Sequence, residues 1–334
     1  MAAGAHYKQI TFIFALVAVS SPFVSAILSG YKANAADDRS TKVKASVMNG
    51  STQPLNGSVL NFPRDHSVGS VIFTTATGEL KPVPACGQVP VPSNAGARLI
   101  VNYQTGLNLS PLKALGPNSL EQLSLTKLEI TDDQLANIKH LTGLKQIDLG
   151  ETDIDDRGLD LLASMHSLKF LDIHGTCITA RGLAAVGAHT TLDNLNLSNN
   201  NIGAVGLEPI KPLQKLKTLR IARSRITNIG LHALGSLMAL ESLDLECNGG
   251  VTDIGISYLM GLKRLNRLDL ANTSFTVQST KYLKQLPSLR HLIYSPNNLK
   301  PEEVGAMRRA LPQCSVISDT QLRYVNVNLY APLH

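Results

Sequence analysis

LKQIDLGETDI at residues 144–154 is followed by LKFLDIHGTCI at 168–178 and LDNLNLSNNNI at 192–202, each starting 24 residues after the last. The same step runs back to LEQLSLTKLEI at 120 and forward to LKTLRIARSRI at 216 and LESLDLECNGGV at 240. The next start, LNRLDLANTSF at 265, is displaced by one residue, and the Gly249-Gly250 pair absorbs it, in a turn where insertion costs little. The pattern fades at Leu289-Arg290-His291-Leu292.

Positions 1, 4 and 6 of each unit alternate, so a short strand is predicted with Leu144, Ile147 and Leu149 pointing into a core and Gln146 and Asp148 facing out. By the same rule Leu195 is a core residue and Asn196 a surface one. Position 9 carries Thr152, Thr176, Asn200, Ser224, Asn248 and Thr273, short polar side chains suited to bonding turn amides of adjacent coils; the first unit has Leu128 instead. After position 11 the spacing turns helical, as in Gly158-Leu159-Asp160-Leu161-Leu162. One unit cannot bury its leucines alone, whereas a stack of units forms a continuous core.

The LxxLxLxxTxI pattern resembles that of leucine-rich repeat proteins, and TDIDDRGL at 152–159 is similar to the TxIxDxGL subtype common in bacterial members. The resemblance covers the units between 120 and 288. It implies an α/β fold, a curved leucine-rich repeat solenoid with a parallel sheet on the concave face and helices on the convex face.

The flanks read differently. Lys8 leads into an uncharged apolar run from Ile10 to Val24, followed by small residues that offer cleavage after Ala26 or, preferably, Ala35; residues 1–35 are expected to be a signal peptide, with an uncleaved membrane anchor as the alternative. Residues 36–56 read as a flexible linker. Residues 57–119 read as a small β-rich N-terminal cap, with strands at Ser70–Thr74, Val89–Val91 and Arg98–Tyr103 and with Leu99 and Val101 one period before Leu123 and Leu125. A C-terminal cap is expected over 289–317, including a helix at Glu302–Leu311, and a tail over 318–334 in which Tyr324–Tyr330 alternates like a strand.

Net charge is +6, and losing Lys8 and Lys32 with the leader leaves about +4, less than nucleic-acid binding usually concentrates. No nucleic-acid partner is expected. Cys177 and Cys247 fall three units apart, about 15 Å at strand spacing, too far for a disulfide. The sequence holds neither CxxC nor HExxH, and no cofactor or metal is expected.

Candidate function lies on the concave face. Position 5 reads Ser124, Asp148, Asp172, Asn196, Arg220, Asp244, Asp269, beside a largely basic position 2 of Glu121, Lys145, Lys169, Asp193, Lys217, Glu241, Asn266 and Arg290. Phe170 and His174 add an aromatic and a titratable group to this face. Adjacent carboxylates such as Asp148 with Asp172, or Asp244 with Asp269, suggest a cation or acid–base site, but Lys145 and Lys169 offer countercharge without one. The face is therefore read as the docking surface of an exported, non-enzymatic protein-binding module or scaffold, with Asp148, Phe170, Asp172, His174, Asn196, Arg220, Asp244 and Asp269 as contact residues. Membrane association is expected only if the leader is retained. The competing readings are a solvated sheet face without a partner, a glycan or cell-surface ligand binder on the same face, and an enzyme with its site in the N-terminal cap around Asp65, His66 and Cys86.

Overall fold

The computed structural model describes residues 58–102, 108–204, 206–297 and 299–324. The expected signal peptide at 1–35, the linker through residue 56 and the strand-like tail beyond Tyr324 lie outside the described residues.

Six strands precede the repeats: β1 (Val59–Asn61), β2 (Gly69–Thr75), β3 (Gly78–Glu79), β4 (Val83–Pro84), β5 (Gln88–Pro90) and β6 (Gly96–Val101). β1 pairs with β5 alone, whereas β2 runs antiparallel to β6, with Val71 opposite Leu99. Buried and part-buried residues alternate along β6, so its odd members Ala97, Leu99 and Val101 face the core.

From β6 onward the chain repeats one step: β7 (Gln122–Ser124), β8 (Gln146–Asp148), β9 (Phe170–Asp172), β10 (Asn194–Asn196), β11 (Thr218–Arg220), β12 (Ser242–Asp244), β13 (Arg267–Asp269), β14 (His291–Tyr294) and β15 (Ser315–Ser318). All pair in parallel with their predecessors, in a single 13-stranded sheet that also takes in β2, β3 and β4. Leu99, Leu123, Ile147, Leu171, Leu195, Leu219, Leu243, Leu268 and Leu292 stand in register, one fully buried row through the stack. The parallel pairing thus continues through β14 and β15, past the point where the leucine pattern fades. At the Gly249-Gly250 insertion the strands stay in register, Ser242 opposite Arg267, because Gly249 has open space around it and both glycines are exposed.

Short helices return the chain: α1 (Asp132–Leu135), α2 (Asp156–Asp160), α3 (Leu183–Gly187), α4 (Asn228–Leu234), α5 (Asp253–Ser257), α6 (Thr280–Leu283), α7 (Pro301–Ala310) and α8 (Asp319–Tyr324). Most are one or two turns, too short to persist alone, and they are held by leucines such as Leu159, Leu183 and Leu231 packed into the common core. Between β10 and β11 only a 3-10 turn, Glu208–Ile210, forms. Pro209 and Pro212 explain it, since a second proline so soon removes the amide a full helix needs.

Side chains tie coil to coil on the helical side. Asp156 accepts from the Thr179 amide at 2.8 Å and from its hydroxyl at 2.6 Å; Asp253 does the same for Thr276, and Asn228 accepts from the Thr252 amide at 2.9 Å. Asp132 accepts from the Asp155 amide. All four occupy the Asp position of the TxIxDxGL pattern. Ala180 and Ala204 stand there in the two intervening coils and offer no such side-chain acceptor.

Candidate functional site

The solvent side of the sheet, expected to be concave, carries two rows. Position 3 runs Gln122, Gln146, Phe170, Asn194, Thr218, Ser242, Arg267, His291, and position 5 runs Ser124, Asp148, Asp172, Asn196, Arg220, Asp244, Asp269, Ile293, each in strand register. All eight expected contact residues lie along this side within β8 to β13 or the turn after β9. Phe170 is part-buried between Gln146 and Asn194 and is the sole aromatic at position 3 from β7 to β13.

Depth departs from expectation. Asp172 is 8% exposed, Asn196 8%, Asp244 7% and Asp269 4%, so these four are nearly closed, while Ser124, Asp148 and Arg220 of the same row are part-buried. The cause is local. Each of these four side chains, and Asp148 with them, bends back to accept from the amide two residues on: Asp148 from Gly150 at 3.0 Å, Asp172 from His174 at 2.9 Å, Asn196 from Ser198 at 3.2 Å, Asp244 from Glu246 at 3.0 Å and Asp269 from Ala271 at 3.0 Å. Position 5 therefore caps the turn that ends the strand, an Asx-type bond repeated coil after coil.

The carboxylates also find countercharge elsewhere than expected. Lys145 is engaged with Glu121 at 2.6 Å, not with the aspartates. Asp172 is bridged instead to His174, whose Nδ1 lies 2.6 Å from Oδ1, while Nε2 lies 3.3 Å from Glu151 Oε1. The Asp172 hydrogen bond, helped by Glu151 and the nearby Asp148 charge, pushes the imidazole pKa up to about 9 against the effect of burial. His174 is thus a cation at neutral pH, with both ring nitrogens donating. Asn196 extends the chain by donating Nδ2–H to Asp172 Oδ2 at 2.9 Å.

A second cluster lies further along. Burial raises the Asp244 pKa, partly offset by the Glu246 amide and by the Arg220 and Arg267 charges on either side. Arg220 is opposite Asp244 in register and Arg267, 7% exposed, sits one strand on. Arg267 is a functional candidate that the position 2 and position 5 columns do not reveal; its signal is a lone Arg in a position 3 row without another Lys, Arg, Asp or Glu from β7 to β14. Among the described residues no group of three His, Cys, Asp or Glu side chains is arranged to hold a metal ion.

Position 8 forms a third row. Lys127, Glu151, Gly175, Asn199, Arg223, Cys247 and Asn272 all take left-handed backbone angles, φ between 54° and 62°. Gly and Asn suit that region; Lys127, Glu151, Arg223 and Cys247 are held there under strain by the repeat geometry. Their side chains stand along the rim where the strands end, with Glu151 reaching Lys127 at 3.6 Å and Arg223 reaching Glu246 at 3.0 Å. Position 9 lies just inside and bonds carbonyls more than the expected amides: Asn248 donates to Ile221 O and Leu245 O and accepts from the Ser224 and Ile226 amides.

Residues 190–249 and 238–299 match the leucine rich repeat family model. Among solved structures the chain is similar to an internalin from Listeria monocytogenes, at 27% identity and a TM-score of 0.52, over 63% of this chain and 56% of that one. It therefore spans little more than half of that internalin's length. No curated protein matches the sequence.

Proposed function

Starting from a chain that is a leucine-rich repeat protein with an α/β solenoid fold, we propose that it is an exported protein-binding module or scaffold whose concave sheet face is the docking surface. Function on a repeat scaffold resides in its extended surface rather than in the fold itself. The observation that carries this reading is Phe170: one part-exposed aromatic in an otherwise polar row, between Gln146 and Asn194 in register and on the same strand as Asp172, which holds the His174 cation. A rigid aromatic surrounded by polar groups is the composition of a binding hot spot. Arg220, Asp244, Asp269 and Asn196 serve mainly to build and charge the face, because their polar atoms are largely engaged within it. The similarity to an internalin supports a protein partner. Export rests on the leader at residues 1–35, and binding rather than catalysis is the reading favoured by a face whose carboxylates cap turns.

The test is affinity capture from extracellular and cell-surface fractions using the full chain, with N-terminal sequencing of the exported protein. Phe170→Ala should weaken capture of the partner by more than about fivefold, a loss typical of removing a buried anchor. Lys139→Glu, an exposed change on the helical side, should leave capture unchanged. Loss of capture in Lys139→Glu with full capture in Phe170→Ala moves the docking surface to the helices, and an intact Met1 in cytoplasmic protein removes export.

A further inference from the structure

Where the coils enter strands β9 to β13 the edge of the sheet holds a groove of about 490 Å³, lined by Lys169, Asp193, Gln214, Lys215, Lys217 and Arg264. Four cations meet one carboxylate there. All four are exposed, and among the described residues none forms an ion pair or a side-chain hydrogen bond. By contrast, Lys145, Lys211 and Arg223 are matched to Glu121, Glu208 and Glu246 at 2.6, 2.5 and 3.0 Å. Unmatched like charges gathered in a concave surface repel one another and focus a positive potential outward.

The arrangement selects among anions. Lys169 and Lys217 occupy position 2 of the β9 and β11 coils, two strands apart and hence about 10 Å from each other at the backbone. Three of the four cations are lysines, mobile point charges on long flexible stems that can reach carboxylates spaced along a chain, and the Arg264 fork matches a carboxylate bidentately. No aromatic side chain lines the groove, which removes the stacking platform that sugars and nucleobases use. Thr191 and Gln214 supply neutral donors and acceptors for peptide amides, and Lys169 directly precedes Phe170 in the chain.

We propose that this groove binds an acidic peptide segment, rich in Asp or Glu, of the protein partner; the partner's existence rests on the function proposed above, but the groove's affinity for carboxylates is measurable without it. The probe is fluorescein-labelled hexaglutamate, titrated with the full chain and followed by fluorescence anisotropy. Binding is expected, weakening as salt rises from about 0.05 to about 0.3 M. Lys215→Glu with Lys217→Glu should reduce affinity at least tenfold, and Lys169→Glu with Arg264→Glu should do the same, while Lys139→Glu with Lys284→Glu, an equal charge change at exposed positions outside the groove, should not. Circular dichroism melting of each variant separates lost binding from lost fold. Absence of hexaglutamate binding, or equal binding by the groove variants, overturns the proposal. So does tighter binding of dextran sulfate or a single-stranded oligonucleotide through the same lysines, which reassigns the groove to a polyanion of another class. Failure of Phe170→Ala to affect partner capture would leave the hexaglutamate result standing, so the two readings fail separately.

Discussion

Gly182 is the space that the Asp156 carboxylate occupies: a Cβ built on the glycine would lie 2.5 Å from Asp156 Oδ1 and 3.2 Å from Asp156 Cα. The same relation holds between Gly158 and Asp132 and between Gly255 and Asn228. The acceptor of one coil thus needs the missing side chain of the next, and the D-x-G spacing within a unit is a contact between units.

Gly182→Ala is expected to destabilise by about 1 to 3 kcal/mol through that collision, although alanine is the better helix former and Gly182 has helical angles. Asp156→Ala alone loses the bonds to Thr179, and the double variant should cost less than the sum of the two. Urea unfolding of the three variants decides it; additive losses would mean the two residues are not coupled.

Leu195→Ala should cost about 2 to 5 kcal/mol and Asn196→Ala about 1 to 2, because Asn196 holds both Asp172 and the Ser198 amide. Asn194→Ala, on the open row, should stay within about 0.5 kcal/mol. Equal effects at 194 and 196 would contradict the closed character of Asn196.

The His174 pKa, raised to about 9 in the fold from about 6.5 when unfolded, means the native state binds the proton more tightly. Its contribution is fully present below about pH 6.5 and is lost as pH rises through 9, an effect of roughly 1 to 2 kcal/mol after solvent screening. Chemical denaturation from pH 6 to 9.5 should show that slope in the native chain and a reduced one in His174→Gln. An unchanged slope in the variant would place the titration elsewhere.

Lys127→Gly should stabilise by about 0.5 to 1 kcal/mol, since glycine relieves the left-handed strain and the exposed ion pair to Glu151 contributes little. Thermal unfolding reads the sign. A lower melting temperature would show that the Lys127 side chain matters more than its backbone angle.

The repeat was legible because Leu144, Ile147 and Leu149 recur at fixed offsets and hydrophobic periodicity reports which side a residue faces. It does not report depth. Asp172 and Asn196 alternate correctly with Leu171 and Leu195, yet they are closed over because the backbone two residues on folds back upon them. The left-handed row was equally hidden, since Lys127, Glu151, Arg223 and Cys247 carry none of the preference that marks Gly175 or Asn199. β15 escaped for a third reason: Val316 keeps the core position, but Gln313 and Ser318 stand where leucines are expected, and only parallel pairing with β14 shows the coil. Phe170 and His174 were visible as unusual residues, whereas Glu151 joins them only once neighbouring coils are stacked.

Ala180 and Ala204 give the stack a spine and an opening edge. On the turn side Thr176 donates to Asn200, and Ser224 donates to Leu197 O, so those coils remain stitched there. On the helical side the side-chain acceptor that ties the other coils is replaced by a methyl group twice in succession, with the Ala204 carbonyl taking the Thr227 hydroxyl at a long 3.3 Å. Under partial denaturation or tension the chain should open like a book along this line, the helices parting before the strands, which divides the solenoid into two semi-independent cooperative blocks.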